Sequence, residues 1–438
     1  MQDRISRRDF LKLAAALGAG SFLAGCGAAP TAGPTTIPTA AAPTGVSWLE
    51  WWANEWGKDN LDGLVNGFSA ANPDIKLEVT DVSYDEMLPK LQAAATSGTG
   101  WDLFGNEPEW LVPWVQLGMA EDLTPWLAKA GPAFNDRLTQ MTPVYWQGKP
   151  YMLYLYLVSF NLAYDKNRLT AMGIEPPTNW DEFYQACKAF RDKGEYGYGM
   201  SLRPDSDAFT GKMWSLRLSQ AGGTWVTPEG QVVFNQEPGV IATEWWKKFY
   251  MDGLALPGSE TEDKQTTAEN LATGKIAMTI DGPYIRTLCQ QVNPQSDIWW
   301  CPAWRQETGG YPWGGSGICL WAKGQHKEQA WRFIEYFFQD DVMLPLSQKT
   351  SVPFALKSVL AQPGLENDPI LHALPAMVGQ DPEHSFAFSP IPDLGTLYMA
   401  LSEAVIACVK GEKTDIKGTL DEVAGLWQKT LDEAAKGG

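Results

Sequence analysis

Histidine, cysteine and basic charge are all scarce in this chain of 438 residues. Its three histidines and six cysteines form no cluster at metal-ligand spacing, so we expect no metal site, and nothing else in the sequence points to a cofactor. Lysine and arginine number 34 against 52 aspartates and glutamates, which gives a formal charge of -18. Binding to nucleic acid and adsorption to anionic lipid both need clustered basic residues, so this balance argues against either function.

Long hydrophobic runs are missing as well. A helix needs about 20 apolar residues to span a bilayer, and the run Leu13–Ala24 is shorter than that. It follows Arg7 and Arg8 in SRRDFLK, a segment that resembles a twin-arginine export signal. It ends in LAGC, which resembles the lipobox of bacterial lipoproteins, where the cysteine is acylated. We therefore predict a signal peptide over residues 1–26, with lipidation at Cys26.

The segment that follows, residues 27–45, has almost nothing that a core could bury. It contains only glycine, alanine, proline, threonine and one isoleucine, a composition typical of a flexible linker. An acyl chain followed by such a linker would hold a folded body near a membrane by lipid alone. We therefore expect an exported protein, anchored to the outer face of the cell membrane or periplasmic.

The rest of the chain has five further cysteines, whose spacing matches no metal or redox motif: Cys187, Cys289, Cys301, Cys319 and Cys408. Because the number is odd, at least one thiol has to stay free. A disulfide between Cys289 and Cys301 is possible after export. We expect buried, unpaired cysteines in the core instead.

From Val46 onward, predicted strands and helices alternate. Apolar or alternating segments predict strands, and apolar residues at helical spacing predict the helices between them. The main predicted strands are Val46–Trp52, Ile75–Val82, Asp102–Phe104 and the long run Tyr151–Tyr164. A helix is predicted over Trp180–Arg191, with Asn179 as its N-cap. This order indicates an α/β fold with parallel strands and a ligand site beyond their carboxyl ends.

Five motifs occur in order along this body: NPDIKLEV, GKPYMLYLYLVSFNLAYDKNRL, PPTNWDEFYQACKAF, ATGKIAMTIDGPY and GGSGICLWAKGQHKEQAWRFIEYFF. They resemble segments of the extracellular solute-binding proteins of sugar-importing ABC transporters, the group that includes maltose-binding protein. The resemblance implies two α/β lobes joined by crossing strands, with the ligand cleft between them. On this basis we place the first lobe at residues 46–163 plus 315–351 and the second at residues 164–314 plus 352–438.

The resemblance also implies a function. The protein would be a monomer that captures a carbohydrate, either a monosaccharide or an oligosaccharide, closes on it by a hinge, and delivers it to ABC permease subunits in the membrane. The transport ATPase would be another chain, and no phosphate-binding motif of the form GxxxxGK[ST] occurs here. No enzymatic activity is expected.

Carried over along the strand ends, the resemblance nominates ligand-binding residues. Each lies at a loop or strand end that lines the family's cleft: Asn54, Glu55, Trp56, Asn106, Glu109, Trp110, Tyr284 and Tyr398. Two of the family's stacking tryptophans are replaced, by Asn106 and Tyr398, and Trp110 replaces an arginine. These departures argue against maltose itself as the ligand.

Sugar chemistry nominates further residues. Aromatic rings cover the C–H faces of a sugar, while carboxylates and amides bind its hydroxyl groups. Residues of suitable type beside the predicted cleft are Trp52, Tyr154, Tyr156, Trp214, Trp313 and Ser316. For Trp52, Tyr154, Tyr156 and Trp214 the alternative is packing in the core.

Two alternative functions would make different demands on the sequence. A receptor for a non-sugar solute such as a polyol phosphate would want arginine in the cleft, and Arg203 and Arg286 are the nearest candidates. A secreted glycoside hydrolase would need two carboxylates about 5–9.5 Å apart. Glu107 with Glu109, or Asp205 with Asp207, would be available. No motif singles out a catalytic acid, so sugar capture remains the predicted function.

Overall fold

The computed structural model of the protein describes residues 43–204, 209–227, 229–301, 305–374, 377, 386–387 and 391–437. The predicted signal peptide, Cys26 and nearly all of the predicted linker lie outside the described residues. Residues 43–438 form one compact unit. Within the described parts of this unit, no helix combines the length and the apolar character that a membrane crossing requires.

The described strands are β1 (Thr44–Glu50), β2 (Ile75–Asp81), β3 (Leu103–Asn106), β4 (Val144–Trp146), β5 (Lys149–Val158), β6 (Asn161–Asp165), β7 (Met278–Asp281), β8 (Ile298–Trp300), β9 (Pro312–Leu320) and β10 (Phe386–Ala387). They form two sheets. The first has the order β2-β1-β3-β9-β5-β4, with β10 also beside β9, and the second has the order β7-β6-β8.

The described helices are α1 (Trp52–Trp56), α2 (Lys58–Ala71), α3 (Tyr84–Ser97), α4 (Pro108–Gln116), α5 (Thr124–Ala130), α6 (Pro132–Asn135), α7 (Lys166–Met172), α8 (Trp180–Asp192), α9 (Phe209–Gln220), α10 (Glu237–Met251), α11 (Lys264–Ala272), α12 (Ile285–Val292), α13 (Lys327–Phe337), α14 (Asp340–Thr350), α15 (Lys357–Leu360), α16 (Leu394–Val409) and α17 (Ile416–Gly437). Short 3₁₀ turns occur at Ser259–Thr261, Leu365–Asn367 and Leu371–Ala373.

Parallel pairing is confirmed where helices link the strands. Strand β1 runs parallel to β2 on one side and to β3 on the other. The other main pairs, β3 with β9, β5 with β9 and β6 with β7 and β8, are antiparallel. The Asn179 cap is also confirmed, because its side-chain oxygen accepts a hydrogen bond of 2.9 Å from the backbone N–H of Glu182.

The first predicted strand is too long at its C-terminal end. Strand β1 stops at Glu50, and Trp52 already begins helix α1. The Glu50 carboxylate accepts a hydrogen bond of 3.0 Å from the backbone N–H of Ala53, which satisfies a donor in the first turn of that helix. An apolar run of this composition fits a buried helix as well as a strand.

The long predicted strand Tyr151–Tyr164 is in fact two strands in different sheets. Strand β5 pairs with β9 in the first sheet, and β6 pairs with β7 and β8 in the second. Between them the Ser159 hydroxyl donates a hydrogen bond of 2.7 Å to the backbone carbonyl of Pro312, at the start of β9. The chain therefore passes from one sheet to the other here, which apolar composition alone did not reveal.

Each sheet has its own hydrophobic core. The first core draws its residues from 46–157 and 318–359, and the second from 160–301, 311 and 370–427. Two α/β lobes result. The exact lobe limits stay a prediction, and residues 352–359, which we placed in the second lobe, pack into the first core. All five cysteines of the body are unpaired and buried, as expected.

Candidate functional site

A cavity lies between the two lobes, with about 470 Å³ of empty space, part of it open to solvent. We call it the central cavity. Its lining residues come from both cores or their margins: Glu55, Tyr84, Glu107, Pro108, Glu109, Tyr156, Val158, Phe160, Phe209, Lys212, Lys264, Tyr284, Gly314, Gly315 and Ser316. Strands β5 and β9 supply its floor near the point where the chain crosses between sheets.

Three carboxylates reach the cavity from the first lobe. Glu55 belongs to α1, which follows β1, and Glu107 and Glu109 lie at the start of α4, which follows β3. Because β1 and β3 are parallel neighbours, their carboxyl ends meet at the same edge of the sheet. All three side chains are more than nine-tenths buried, so each carboxylate needs a partner.

The partners of two of these carboxylates are lysines of the second lobe. Lys212 of α9 forms a buried ion pair with Glu109. Lys264, the first residue of α11, has its ammonium nitrogen 3.7 Å from Glu55 Oε1. Both ion pairs therefore join one lobe to the other across the cavity.

Hydroxyl groups from the floor of the cavity complete this network. The Tyr156 hydroxyl donates a hydrogen bond of 2.6 Å to Glu55 Oε2, and the Ser316 hydroxyl donates one of 2.6 Å to Glu107 Oε1. Burial and the neighbouring Glu109 carboxylate raise the pKa of Glu107, against the opposing effects of Lys212 and Ser316. The carboxyl group of Glu107 therefore favours its neutral form more than an ordinary glutamate does.

A fourth acid lies close by without lining the cavity. Asp281, at the end of β7, is fully buried, and its Oδ1 accepts a hydrogen bond of 2.7 Å from the backbone N–H of Gly282. Burial raises its pKa to about 6, although the charge of Lys264 opposes that rise. Lys264 thus acts on carboxylates of both lobes.

The structure brings five of the nominated residues into the central cavity: Glu55, Glu109, Tyr156, Tyr284 and Ser316. Asn54 lies just outside it. Asn54 lines a neighbouring cavity with Trp51 and Asp85, and its side-chain amide donates a hydrogen bond of 3.2 Å to the carbonyl of Val82. We call this neighbouring space the outer cavity.

Most of the nominated tryptophans lie in the cores instead. Trp52 and Trp56 are fully buried and stack on each other, with ring centroids 5.2 Å apart and planes 6° from parallel. Trp110 packs against Trp51 with a centroid distance of 6.3 Å. In the second lobe Trp214 is also fully buried. None of these tryptophans lines the central cavity.

Four nominated residues remain. Asn106 is fully buried, and its amide donates a hydrogen bond of 2.8 Å to the carbonyl of Glu107. Tyr154 is buried beneath the cavity floor, where the charges of Glu109 and Glu107 add to burial in raising its pKa. Tyr398 packs edge-on against Trp225 at 4.7 Å. The Trp313 side chain lies outside the described residues.

The nominated set missed several residues that line the cavity: Tyr84, Pro108, Val158, Phe160, Phe209, Lys212, Lys264, Gly314 and Gly315. Glu107 lines the cavity too, although the resemblance nominates it for no ligand contact. The two lysines could have been found by asking which cations lie at the helix starts of the second lobe and could neutralise the acidic strand ends of the first.

Arg203 and Arg286, the two arginines that a phosphate ligand would call for, do not line the central cavity. Arg286 donates a hydrogen bond of 3.3 Å to the Ser351 hydroxyl and does not line the central cavity. Arg203 lines a smaller adjoining space of about 200 Å³. Asp205 and Asp207 lie outside the described residues. Within the described ranges, no group of three or more His, Cys, Asp or Glu residues is suited to hold a metal ion.

Comparison with known proteins gives independent information. Residues 53–344 match the family model for bacterial extracellular solute-binding proteins, and residues 4–24 match the twin-arginine translocation signal sequence. The melibiose/raffinose/stachyose-binding protein MelE of Bacillus subtilis is 25% identical over 260 residues, which are 56% of this chain and 58% of that protein.

Solved structures share the fold at low sequence identity. An ABC transporter solute-binding protein of Thermotoga lettingae, bound to α-D-tagatose, superposes with a TM-score of 0.77 at 21% identity and covers 89% of this chain and all of that one. The GacH receptor of Streptomyces glaucescens, solved without ligand and with acarbose, gives a TM-score of 0.73 at 20% identity over 89% of this chain and 99% of that one. These similarities establish the two-lobe architecture.

Proposed function

The chain belongs to the bacterial extracellular solute-binding protein family, and from this we propose that it captures a sugar in the central cavity for an ABC importer. Family membership makes it a binding protein for a small molecule and not an enzyme. The match at residues 4–24 makes it an exported protein. The sugar, the permease partner and the residues that bind are what we propose here.

The observation that carries the proposal is the chemistry of the cavity lining. Carboxylates of Glu55, Glu107 and Glu109 face the same space as the rings of Tyr84 and Tyr284. Carboxylates accept hydrogen bonds from sugar hydroxyls, and aromatic rings pack against the C–H faces of the sugar ring. The carboxylates and the Tyr284 ring are buried, and the Tyr84 ring is half-buried. A lining of this kind suits recognition of a polar ligand.

Charge balance supports an uncharged ligand. Glu109 is paired with Lys212 and Glu55 with Lys264, while the raised pKa of Glu107 favours its neutral form. The groups that face the cavity therefore carry little net charge. A polyol phosphate would need unpaired cationic groups, and a polyamine would need unpaired carboxylates. A neutral sugar needs neither.

We further propose that the protein is attached to the outer face of the cell membrane by a lipid on Cys26. The support is the LAGC sequence at the end of the predicted signal, followed by a linker without core-forming residues. Metabolic labelling with an alkyne-bearing fatty acid, compared between the wild type and Cys26→Ala, tests this. Absence of label on the wild type would contradict it.

The function is tested by calorimetric titration of the purified protein with neutral sugars: D-tagatose, melibiose, raffinose and acarbose, beside glycerol 3-phosphate and spermidine. We expect one of the sugars to bind without being hydrolysed. Glu55→Ala should weaken binding of that sugar at least tenfold, because a buried hydrogen bond to a charged group contributes about 1.5–3 kcal/mol.

The matched control is Glu422→Ala, which removes an exposed carboxylate from α17 and should leave the affinity unchanged. Binding of the phosphate ester or the polyamine, with no response to any sugar, would contradict a sugar ligand while keeping a solute receptor. Release of reducing ends during the titration would contradict the receptor itself.

A further inference from the structure

Lys264 stands at the junction of three spaces in the cleft. It lines the central cavity, the outer cavity and the smaller space beside Arg203. It is the first residue of α11, and the Asp263 carboxylate caps that helix by accepting a hydrogen bond of 2.7 Å from the N–H of Thr266. The backbone of Lys264 is therefore fixed, while its four-carbon side chain reaches into the cleft.

The ammonium group of Lys264 contacts both lobes at once. It lies 3.8 Å from the ring centroid of Tyr84 and 3.7 Å from Glu55 Oε1, both in the first lobe. In its own lobe it lies 4.7 Å from the ring centroid of Tyr284. Cation–π contacts within about 6 Å are attractive, more so when the cation is largely removed from water, and the Lys264 side chain is only 20% exposed.

These are the contacts that a sugar would make in the same place. A sugar ring stacked on Tyr84 or Tyr284 would cover the ring face that the ammonium now faces, and its hydroxyl groups would compete for Glu55. A lysine and a sugar cannot both occupy this position. Once displaced, the Lys264 ammonium group can pair with the carboxylates of Asp85 and Asp263, which line the outer cavity.

The other cross-lobe lysine differs in burial. The side chains of Lys212 and Glu109 are 9% and 4% exposed, so both charges of that pair are withdrawn from water. Removing one partner of such a pair leaves an uncompensated buried charge, which is strongly unfavourable. Lys212 is thus a fixed part of the site. Lys264 is less enclosed, because its own side chain is 20% exposed and Tyr84 is half-buried, although Glu55 is only 6% exposed.

We propose that Lys264 is a gating residue of the cleft. Its side chain bridges the two lobes through Glu55 and Tyr84, and a sugar binds by displacing it from them. The proposed bridge between the lobes does not depend on the identity of the ligand. The proposed displacement of Lys264 by a sugar rests on the function proposed above. A residue that only contacts the sugar would raise affinity, whereas this one competes with the sugar and lowers affinity.

Small-angle X-ray scattering without added sugar tests the bridge. Lys264→Met and Lys264→Ala should each increase the radius of gyration relative to the wild type at low ionic strength, because the lobes lose a connection. About 1 M NaCl should expand the wild type less than either substitution does, because salt screens a largely buried ion pair much less than an exposed one. The control is Lys417→Met, which removes an exposed ion pair with Asp421 on α17 and should change nothing.

Titration with the sugar that binds the wild type tests the displacement. Removing the competing side chain raises the fraction of protein able to bind, so Lys264→Ala should bind that sugar about three- to tenfold more tightly. Affinity that falls in both variants would overturn the competition. An unchanged radius of gyration in both variants overturns the proposal outright, whether or not any sugar binds. If both variants expand but neither they nor the wild type bind any sugar, the result would support the Lys264 bridge and contradict a sugar ligand.

Discussion

At the residue scale, Glu50 is a buried acid that stabilises the start of helix α1. It ends β1, is fully buried, and holds the first turn of α1 through the N–H of Ala53. Burial is the main reason that its pKa rises to about 8, and the nearby carboxylate of Asp81 adds to the rise. Glu50 therefore stays largely neutral in the folded protein at pH values where it ionises in the unfolded chain.

This predicts a stability that falls with rising pH. Between about pH 4.5 and 8 the folded state holds a proton at Glu50 that the unfolded state has lost, so the free energy of unfolding decreases over that window. Glu50→Gln, which stays neutral, should be more stable than the wild type at pH 8.5, by roughly 2–4 kcal/mol. Urea unfolding at pH 5, 7 and 8.5 measures this.

The control is Glu422→Gln, an exposed substitution that should keep the pH dependence of the wild type. Glu107 and Asp281 also have raised pKa values, so Glu50→Gln should reduce the pH dependence without abolishing it. Identical slopes for Glu50→Gln and the wild type would contradict the assignment of a raised pKa to Glu50.

Residue by residue, the sequence predicted which carboxylates line the central cavity better than it predicted which aromatic rings do. Glu55 and Glu109 could be found because acids placed just after parallel strands converge at one edge of a sheet. The tryptophans could not be assigned, because an indole in a short apolar segment fits a core and a cleft equally well. In helix α1 the cleft side carries Glu55, and Trp52 and Trp56 face the core.

At the scale of elements, strand β9 is pressed closely against β5. A Cβ atom added at Gly317 would lie 2.5 Å from the carbonyl oxygen of Leu153 and 2.7 Å from Met152 Cγ. The carbonyl belongs to the neighbouring strand and cannot move without breaking the ladder. Glycine is therefore required here for close approach of two backbones.

Gly317→Ala should destabilise the protein by about 1–3 kcal/mol or more, the typical cost of forcing extra volume into a packed core. Thermal or urea unfolding measures it. The matched substitution Gly63→Ala adds the same methyl group within α2, where nothing lies within 4 Å of the new atom. It should stabilise by about 0.5–1 kcal/mol. Equal effects at the two sites would contradict the packing argument.

The elements themselves were largely predictable, and the exceptions have physical reasons. The helices over Lys58–Ala71 and Trp180–Asp192 show clear apolar periodicity and end signals. The run Tyr151–Tyr164 was not divided correctly, because both β5 and β6 are buried and the residues between them are hardly more polar. Only the pairing partners reveal that the chain changes sheets there.

At the scale of the whole molecule, a solute that contacts both lobes should stabilise both. Binding to the folded state adds about 2.7 kcal/mol to the free energy of unfolding at a ligand concentration of 100 Kd. We therefore expect saturating sugar to slow hydrogen exchange in α1 and α4 of the first lobe and in α9 and α11 of the second. Mass spectrometry of peptic peptides measures this exchange.

Helix α17, which contributes no residue to the central cavity, supplies the internal reference. Its exchange should change less than that of the four cavity helices. Protection restricted to the helices of one lobe would contradict binding between the lobes, even where the affinity itself is high.

The two-lobe α/β architecture was predictable from the order of motifs, but the ion pairs between the lobes were not. The lysines that bridge the cleft lie about 100 to 210 residues from their carboxylate partners in the chain, and no periodicity relates such distant positions. Charge pairing across a cleft depends on how two lobes meet, which local sequence patterns do not encode.

The five buried thiols affect how long the protein stays chemically intact after export. Burial raises the pKa of Cys187, Cys301 and Cys319 well above that of a free thiol, so the reactive thiolate is scarce as well as inaccessible. The signal sequence at residues 4–24 marks the protein for export, where these buried groups meet an oxidising environment. Its lifetime there depends on how rarely it unfolds, since each full unfolding exposes five thiols to oxidation.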